Sequence, residues 1–241
     1  MLKEISSIFS FLTIIPTKNA SIETTAQYMY LFPIVGMVIG LLVGSMGFGL
    51  SLFVDPLITS LLVVASLALI TGIHHTDGLA DFADGLMAKG SKEKKLKAMK
   101  DLATGSAGIV AIVLYLIGLI IAISLSSGFQ LFLAILLSEI IAKFSMVLMA
   151  TLGKSASIGS NSPFVELMKN PKKIGLALVL TLVPLVTIGG INGLIIFTSS
   201  SILTLILIGI SSRSFGGITG DVMGSANELS RLTSLLIFVS L

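Results

Sequence analysis

The chain reads as an all-α, polytopic integral membrane helical bundle of six or seven transmembrane helices, and three observations lead there. Only 11% of its 241 residues are charged while 54% are hydrophobic, and mean hydropathy is +1.07; a soluble domain carries about 25% charged residues, so much of a solvated surface is missing. Apolar runs approaching or exceeding the length of a bilayer crossing follow one another, separated by short turns. Lysine and arginine are absent from alternate turns, the asymmetry expected of a membrane topology. A single membrane-embedded domain over residues 1–241 is expected. With no cysteine, disulfides, thiolate metal sites and cysteine nucleophiles are excluded. The start, Met-Leu-Lys-Glu-Ile-Ser-Ser-Ile-Phe, lacks a signal peptide's basic start, clean apolar core and small-residue cleavage site, so no removal is expected.

Taken in order, residues 5–15 are apolar but short of a span and end at Pro16, which suggests an interfacial or re-entrant helix. Residues 28–54 are uncharged and carry Gly36, Gly40, Gly44, Gly47 and Gly49, a small-residue spacing that admits a close helix partner. A second run, 57–73, follows Asp55-Pro56 and leads into an acidic stretch; runs 107–125 and 129–152 flank Ser126-Ser127-Gly128. A polar segment, 153–173, precedes runs 174–188 and 191–210, which flank Gly189-Gly190, and a last segment, 219–241, starts polar and ends apolar. The turns at 54–56, 126–128 and 189–193 hold one charged side chain, Asp55, and no Lys or Arg. The loops at 1–27, 74–106, 153–173 and 211–220, which hold nearly all the lysines, then share one face, and the positive-inside rule makes it cytoplasmic.

The stretch between Gly72 and Gly105 carries the densest chemistry. Asp77, Asp81 and Asp84 stand at i, i+4 and i+7 and fall on one face of a helix. Acidic residues favour a helix start through the macrodipole, which accounts for one or two of them but not for three on one face directly after a span. Hard divalent cations take carboxylate oxygens, and Mg²⁺ is usually held by a few carboxylates with substrate phosphates and water. Asp101 is either a further ligand or a partner for Lys92, Lys94, Lys95, Lys97 and Lys100. Those lysines are first a positive-inside signal, yet Lys100, beside Asp101, is placed to grip phosphate oxygens. His75 can orient a hydroxyl or a phosphate oxygen while neutral.

A second acidic motif lies in Gly216-Gly217-Ile218-Thr219-Gly220-Asp221, continuing to Glu228. Asp221 and Glu228, seven apart, share a helical face, and two such stripes can hold divalent ions across a phosphoryl displacement. The bland alternative is a capping Asp in a small-residue packing face. Glu139 and Lys143, at i and i+4 inside a span, read as an ion pair that lowers the cost of burial. Gly153-Lys154-Ser155 and Gly159-Ser160-Asn161 are too short for a phosphate loop, and no Walker, Gly-x-Gly-x-x-Gly or Gly-x-Ser-x-Gly pattern occurs.

These residues also resemble a known family. His75-x-Asp77-Gly78-Leu79-Ala80-Asp81-x-Ala83-Asp84-Gly85, Met99-Lys100-Asp101 with Gly105 and Gly108, and Gly217-x-Thr219-Gly220-Asp221-x-x-Gly224 are similar to the cobalamin synthase (adenosylcobinamide-GDP ribazoletransferase) family, as are Phe11-Leu12-Thr13-x-x-Pro16 and Phe32-Pro33-x-Val35-Gly36. The resemblance implies a Mg²⁺-dependent membrane transferase in which a hydroxyl of α-ribazole, or of its 5′-phosphate, attacks the diphosphate of adenosylcobinamide-GDP, releases GMP and leaves a phosphodiester. The chemistry expected of this chain has Asp77, Asp81, Asp84 and Asp221 as metal ligands, Asp84 or Asp101 as general base with His75 beside them, and Lys100, Lys154, Arg213 and Glu228 as substrate or phosphate contacts. Its partners would be these substrates and membrane lipid, with no nucleic acid and with a homo-oligomer allowed. The chain also resembles CDP-alcohol phosphotransferases in Asp81-x-x-Asp84-Gly85, but has Met87-Ala88-Lys89 where their Ala-Arg follows, and its later acids are spaced differently. The competing class is a cation transporter, whose carboxylates belong near mid-span.

Overall fold

The computed structural model describes residues 2–16, 21–156 and 162–241; Gly159-Ser160-Asn161 lies outside them. Among the described residues, regular structure is helical apart from one isolated parallel bridge between Ser155 and Ile218. The order is α1 (Leu2–Leu12), α2 (Ile22–Gln27), a 3-10 turn (Met29–Leu31), α3 (Phe32–Ser51), α4 (Pro56–Thr71), α5 (His74–Met87), α6 (Lys92–Met99), α7 (Ser106–Ser124), α8 (Gly128–Leu152), α9 (Ser162–Leu167), α10 (Pro171–Phe215) and α11 (Gly220–Ser240). Local chemistry sets several boundaries. Asp55 caps α4 by accepting from Leu57 N at 2.9 Å, with Pro56 as the first helical residue. Thr219 caps α11 by accepting from Val222 N.

Helix α8 is the buried centre, and α3 lies along it through the predicted glycine column. A methyl group added at Gly36, Gly40 or Gly44 would meet Glu139, Leu136 and Phe132 in turn, so the two helices run antiparallel with backbones in close approach. Outward faces carry exposed Leu42, Leu61, Leu69, Leu114 and Ile202, the surface a bilayer covers. Helices α1, α2 and α9 are too short to cross and pack together at one end, where Phe11 and Phe164 approach with ring centroids 5.3 Å apart.

Among the described residues, four helices are long and apolar enough to cross a membrane, or five spans if α4 and α5, bent by 91°, form one broken span. The six or seven spans expected from the sequence exceed that figure for physical reasons. The 45 residues of α10 count once, although Gly190, at φ 56° and ψ −132°, breaks the helix. Gly193 sits against the Leu185 carbonyl, whereas eight residues of continuous helix would separate them by about 12 Å; the two halves fold back on each other here. Helix α11 is not among the counted helices and carries Asp221, Glu228 and Arg231.

Candidate active site

The α4–α5 bend is made by two consecutive residues in left-handed backbone, Gly72 (φ 66°) and Ile73 (φ 65°). For a β-branched residue this conformation is strained, on the order of 1–3 kcal/mol, and such strain concentrates at functional sites. The turn delivers α5 with its aspartates on one stripe as the spacing predicts, Asp77 exposed and Asp81 and Asp84 half-buried. Helix α11 then comes against α5 through glycines. A methyl group at Gly78 would lie 3.0 Å from the Asp221 backbone, and one at Gly224 would lie 3.3 Å from that of His75. This contact brings Asp221 to the stripe, so that the charges of Asp77, Asp221 and Asp84 all act on Asp81. Among the described residues, Asp77, Asp81 and Asp221 pair with no Lys or Arg.

Asp84 also has a structural task. Its carboxylate accepts from Gly105 N at 2.7 Å and from Gly108 N at 2.9 Å, the N-cap and third-residue amides of α7. Those donors lack intrahelical partners, and an ordinary helix satisfies them with a capping box of its own residues. Here a carboxylate from another helix takes both, and the two glycines are needed because a Cβ at Gly105 would lie 2.5 Å, and one at Gly108 2.6 Å, from its oxygens.

The basic candidates are distributed around the start of α11. Thr219 donates to Met99 Sδ at 3.3 Å, which draws the end of α6 in, and the Lys100 charge acts on Asp221. The 153–156 loop is tied on by Ile218 N donating to the Lys154 carbonyl at 2.7 Å and Ala156 N donating to the Ile218 carbonyl at 2.9 Å. Gly217 is packed against Lys154 and Ala156 too tightly for a side chain, which explains that glycine of the motif. Arg213 is exposed in the last turn of α10. Lys95 is otherwise engaged, donating to the Leu86 carbonyl at 2.6 Å near the end of α5. Asp101 is exposed, accepts from Ala103 N at 3.1 Å, and shares a surface groove with Lys97 and Lys100 rather than joining the stripe.

Glu228 does not join Asp221. It is buried two turns further along α11, where Tyr115 and Arg231 donate to Oε2 and Asn227 Nδ2 donates to Oε1 at 2.9 Å. Arg231 also reaches Glu139 through Nε and through Nη2 at 3.2 Å, and Tyr115 Oη through Nη1 at 2.9 Å. Lys143 Nζ donates to Asn227 Oδ1 at 2.7 Å and stands 3.9 Å from Glu139, both side chains 0% exposed. The Glu139–Lys143 pair is therefore present, inside a larger network centred on Arg231, Tyr115 and Asn227. The sequence reading passed over Arg231; its available signal was an arginine three residues beyond Glu228 in an apolar helix.

Among the described residues, no three or more His, Asp or Glu side chains are grouped as they stand to hold a metal. The donor set nonetheless offers the carboxylate oxygens that a hard cation takes, with substrate phosphates and water to complete its coordination. His75 and Asp221 also line a cavity of about 340 Å³ that reaches between α1, α8 and α9.

The chain matches the cobalamin-5-phosphate synthase family model over residues 4–239. An adenosylcobinamide-GDP ribazoletransferase of Archaeoglobus fulgidus is 36% identical, over 98% of this chain and 96% of that protein. Proteins of the same name are 34% identical in Pyrococcus abyssi, over 96% and 95%, and 33% identical in Methanocella arvoryzae, over 98% and 94%. No solved structure matches the chain. By the reach of the family model and the extent of these similarities, the chain belongs to the cobalamin-5-phosphate synthase family.

Proposed function

We propose that the chain is an integral membrane transferase joining adenosylcobinamide-GDP to α-ribazole, or to its 5′-phosphate, to give adenosylcobalamin, or its 5′-phosphate, and GMP. The observation that carries this reading is the set Asp77, Asp81 and Asp221, left without an internal cation at one end of the bundle, with the Lys100 charge acting on Asp221 and the Lys154 backbone tied to Ile218 close by. The hydroxyl oxygen of the acceptor bonds to the phosphorus that stays with the corrinoid, the P–O bond to GMP breaks, and the hydroxyl proton leaves to a base. Asp77, Asp81 and Asp221 would hold Mg²⁺, which when bound neutralises charge building on the phosphate oxygens. Lys100 and Lys154 take up charge on the leaving side as compact cations. Of the two base candidates, Asp84 is occupied in clamping α7, which leaves Asp101, beside Lys100 in the open groove, to receive the proton. His75, buried beside Asp221, orients the acceptor. The lysine-bearing loops argue for a site on the cytoplasmic face of the cell membrane. A transporter would need unmatched carboxylates inside the bundle, and the buried ones, Glu139 and Glu228, are matched by Lys143 and Arg231.

The test is turnover by the full chain in nanodiscs with adenosylcobinamide-GDP and α-ribazole, reading GMP release and corrinoid mass. Product that forms with Mg²⁺ and stops with EDTA is the expected result. Absence of product with both ribazole and its phosphate would overturn the reading.

A further inference from the structure

Helices α1, α2 and α9 are too short to cross a bilayer and contribute none of the carboxylates or lysines of the proposed chemistry, yet they close one side of a cavity beside it. That cavity, about 340 Å³, is bounded by Phe11 of α1, Phe164 of α9, Met146 of α8 and Met223 of α11, and its polar rim is His75 and Asp221. Phe164, Met146 and Met223 are nearly fully buried, and Phe11 stacks towards Phe32 as well as Phe164. The walls therefore offer flat aromatic and polarizable thioether surface, and no charged side chain until the rim. His75 is 6% exposed, and its Nδ1 is buried with no hydrogen-bond partner. A buried polar atom without a partner is costly unless something supplies one. Small-molecule sites have this character: concave, mostly apolar, with few convergent polar groups.

We propose that this cavity receives the heteroaromatic base of the acceptor nucleoside, stacked among Phe11, Phe164 and the two methionines, with the His75 imidazole at its polar rim. The proposal rests on the transferase reading above. A benzimidazole riboside meets the cavity's chemistry at both ends: its bicyclic base is planar and largely apolar, with one free ring nitrogen for the polar rim. Its ribose hydroxyls then emerge at the rim beside Asp221, on the α5 side, where the carboxylates and Lys100 stand. The corrinoid-linked diphosphate is too polar for such walls and is left to the open, lysine-bearing side. The short helices thus select the acceptor while the stripe handles the diphosphate.

The experiment uses the full chain in nanodiscs, the Phe164→Ala and Phe11→Ala variants, and α-ribazole as probe. Because the chain contains no tryptophan, emission from the benzimidazole reports its binding directly, without turnover. Stacking of a base on one aromatic side chain is worth about 5- to 150-fold in affinity, so each variant is expected to raise the Kd and KM for α-ribazole within that range while KM for adenosylcobinamide-GDP and kcat hold. Phe11, at 39% exposed on a short helix, keeps the test valid if Phe164→Ala misfolds. Unchanged α-ribazole affinity in an active Phe11→Ala protein, or a shift confined to the donor KM, would overturn the cavity assignment and leave the transferase reading standing; a cavity filled by a lipid chain produces that outcome. An unaltered chain that neither binds α-ribazole nor turns over removes the transferase reading itself.

Discussion

The molecule holds two groups of acidic residues on helices, and they are treated in opposite ways. Glu139 and Glu228 lie in the interior, each matched by Arg231 or Lys143 and each further hydrogen-bonded or paired across α7, α8 and α11. Asp77, Asp81 and Asp221 lie at the end of the bundle, partly solvated and unmatched by any Lys or Arg ion pair among the described residues. Removing a charge from water costs several kcal/mol per ion, so an interior carboxylate survives only with a counter-charge in place. A carboxylate at the rim keeps part of its hydration and can await an external cation. Internal compensation thus marks the structural acids, and on the proposed reading its absence marks the acids of the active site.

Four substitutions sharpen or break that contrast. Arg231→Met should have the largest effect. It leaves Glu139 and Glu228 with Lys143 alone and should cost about 3–5 kcal/mol of stability, read as thermal unfolding of the purified protein; adding Glu228→Gln should restore part of the loss. A stable, active Arg231→Met protein would break the comparison. Asp81→Asn should do the reverse, lowering kcat by about 10²–10³-fold, the scale of losing one electrostatic contact to a transition state, with unfolding temperature and membrane insertion unchanged. If unfolding shifts as much as turnover, the rim acids are structural after all.

Gly78→Ala probes how the two halves of the rim are brought together. Its Cβ would sit 3.0 Å from the Asp221 backbone, and overpacking of this kind costs about 1–3 kcal/mol. Pushing α11 away from α5 should also reduce turnover more than Gly49→Ala, where nothing lies within 4 Å; equal effects would show that the approach of Asp221 to the stripe is unimportant. Among the variants expected to destabilise, Asp84→Ala should be the mildest, at about 0.5–2 kcal/mol for a lost helix cap, read by unfolding and by faster amide exchange at Gly105 and Gly108. Unaltered exchange there would free Asp84 for the role the stripe alone suggested.

Much of this was legible in the chain because it follows from local periodicity. The apolar runs, the Asp77, Asp81 and Asp84 helix, the glycine column of α3 and the reversal at Gly189-Gly190 each depend on residues within a few turns of one another, and local spacing fixes which face they share. The partners of those faces are contacts between distant residues, and no spacing rule reports them. Asp84 stands on the stripe with Asp77 and Asp81, but its clamp on α7 through Gly105 and Gly108 is invisible to spacing. Glu228 shares a helical face with Asp221, yet the axial distance of two turns carries it from the rim into the interior, where Arg231 claims it. Asp101 follows Lys100 in sequence but faces the open groove. The cavity at His75 is assembled from six helices, of which α2 and α9 are too short to announce themselves in the sequence. The sequence by itself determined that this is a helical membrane protein with carboxylates on one face of a helix. Only the tertiary structure decided which of those carboxylates are left uncompensated, because charge matching is a property of neighbours in space, and the chain's folding brings those neighbours from far apart.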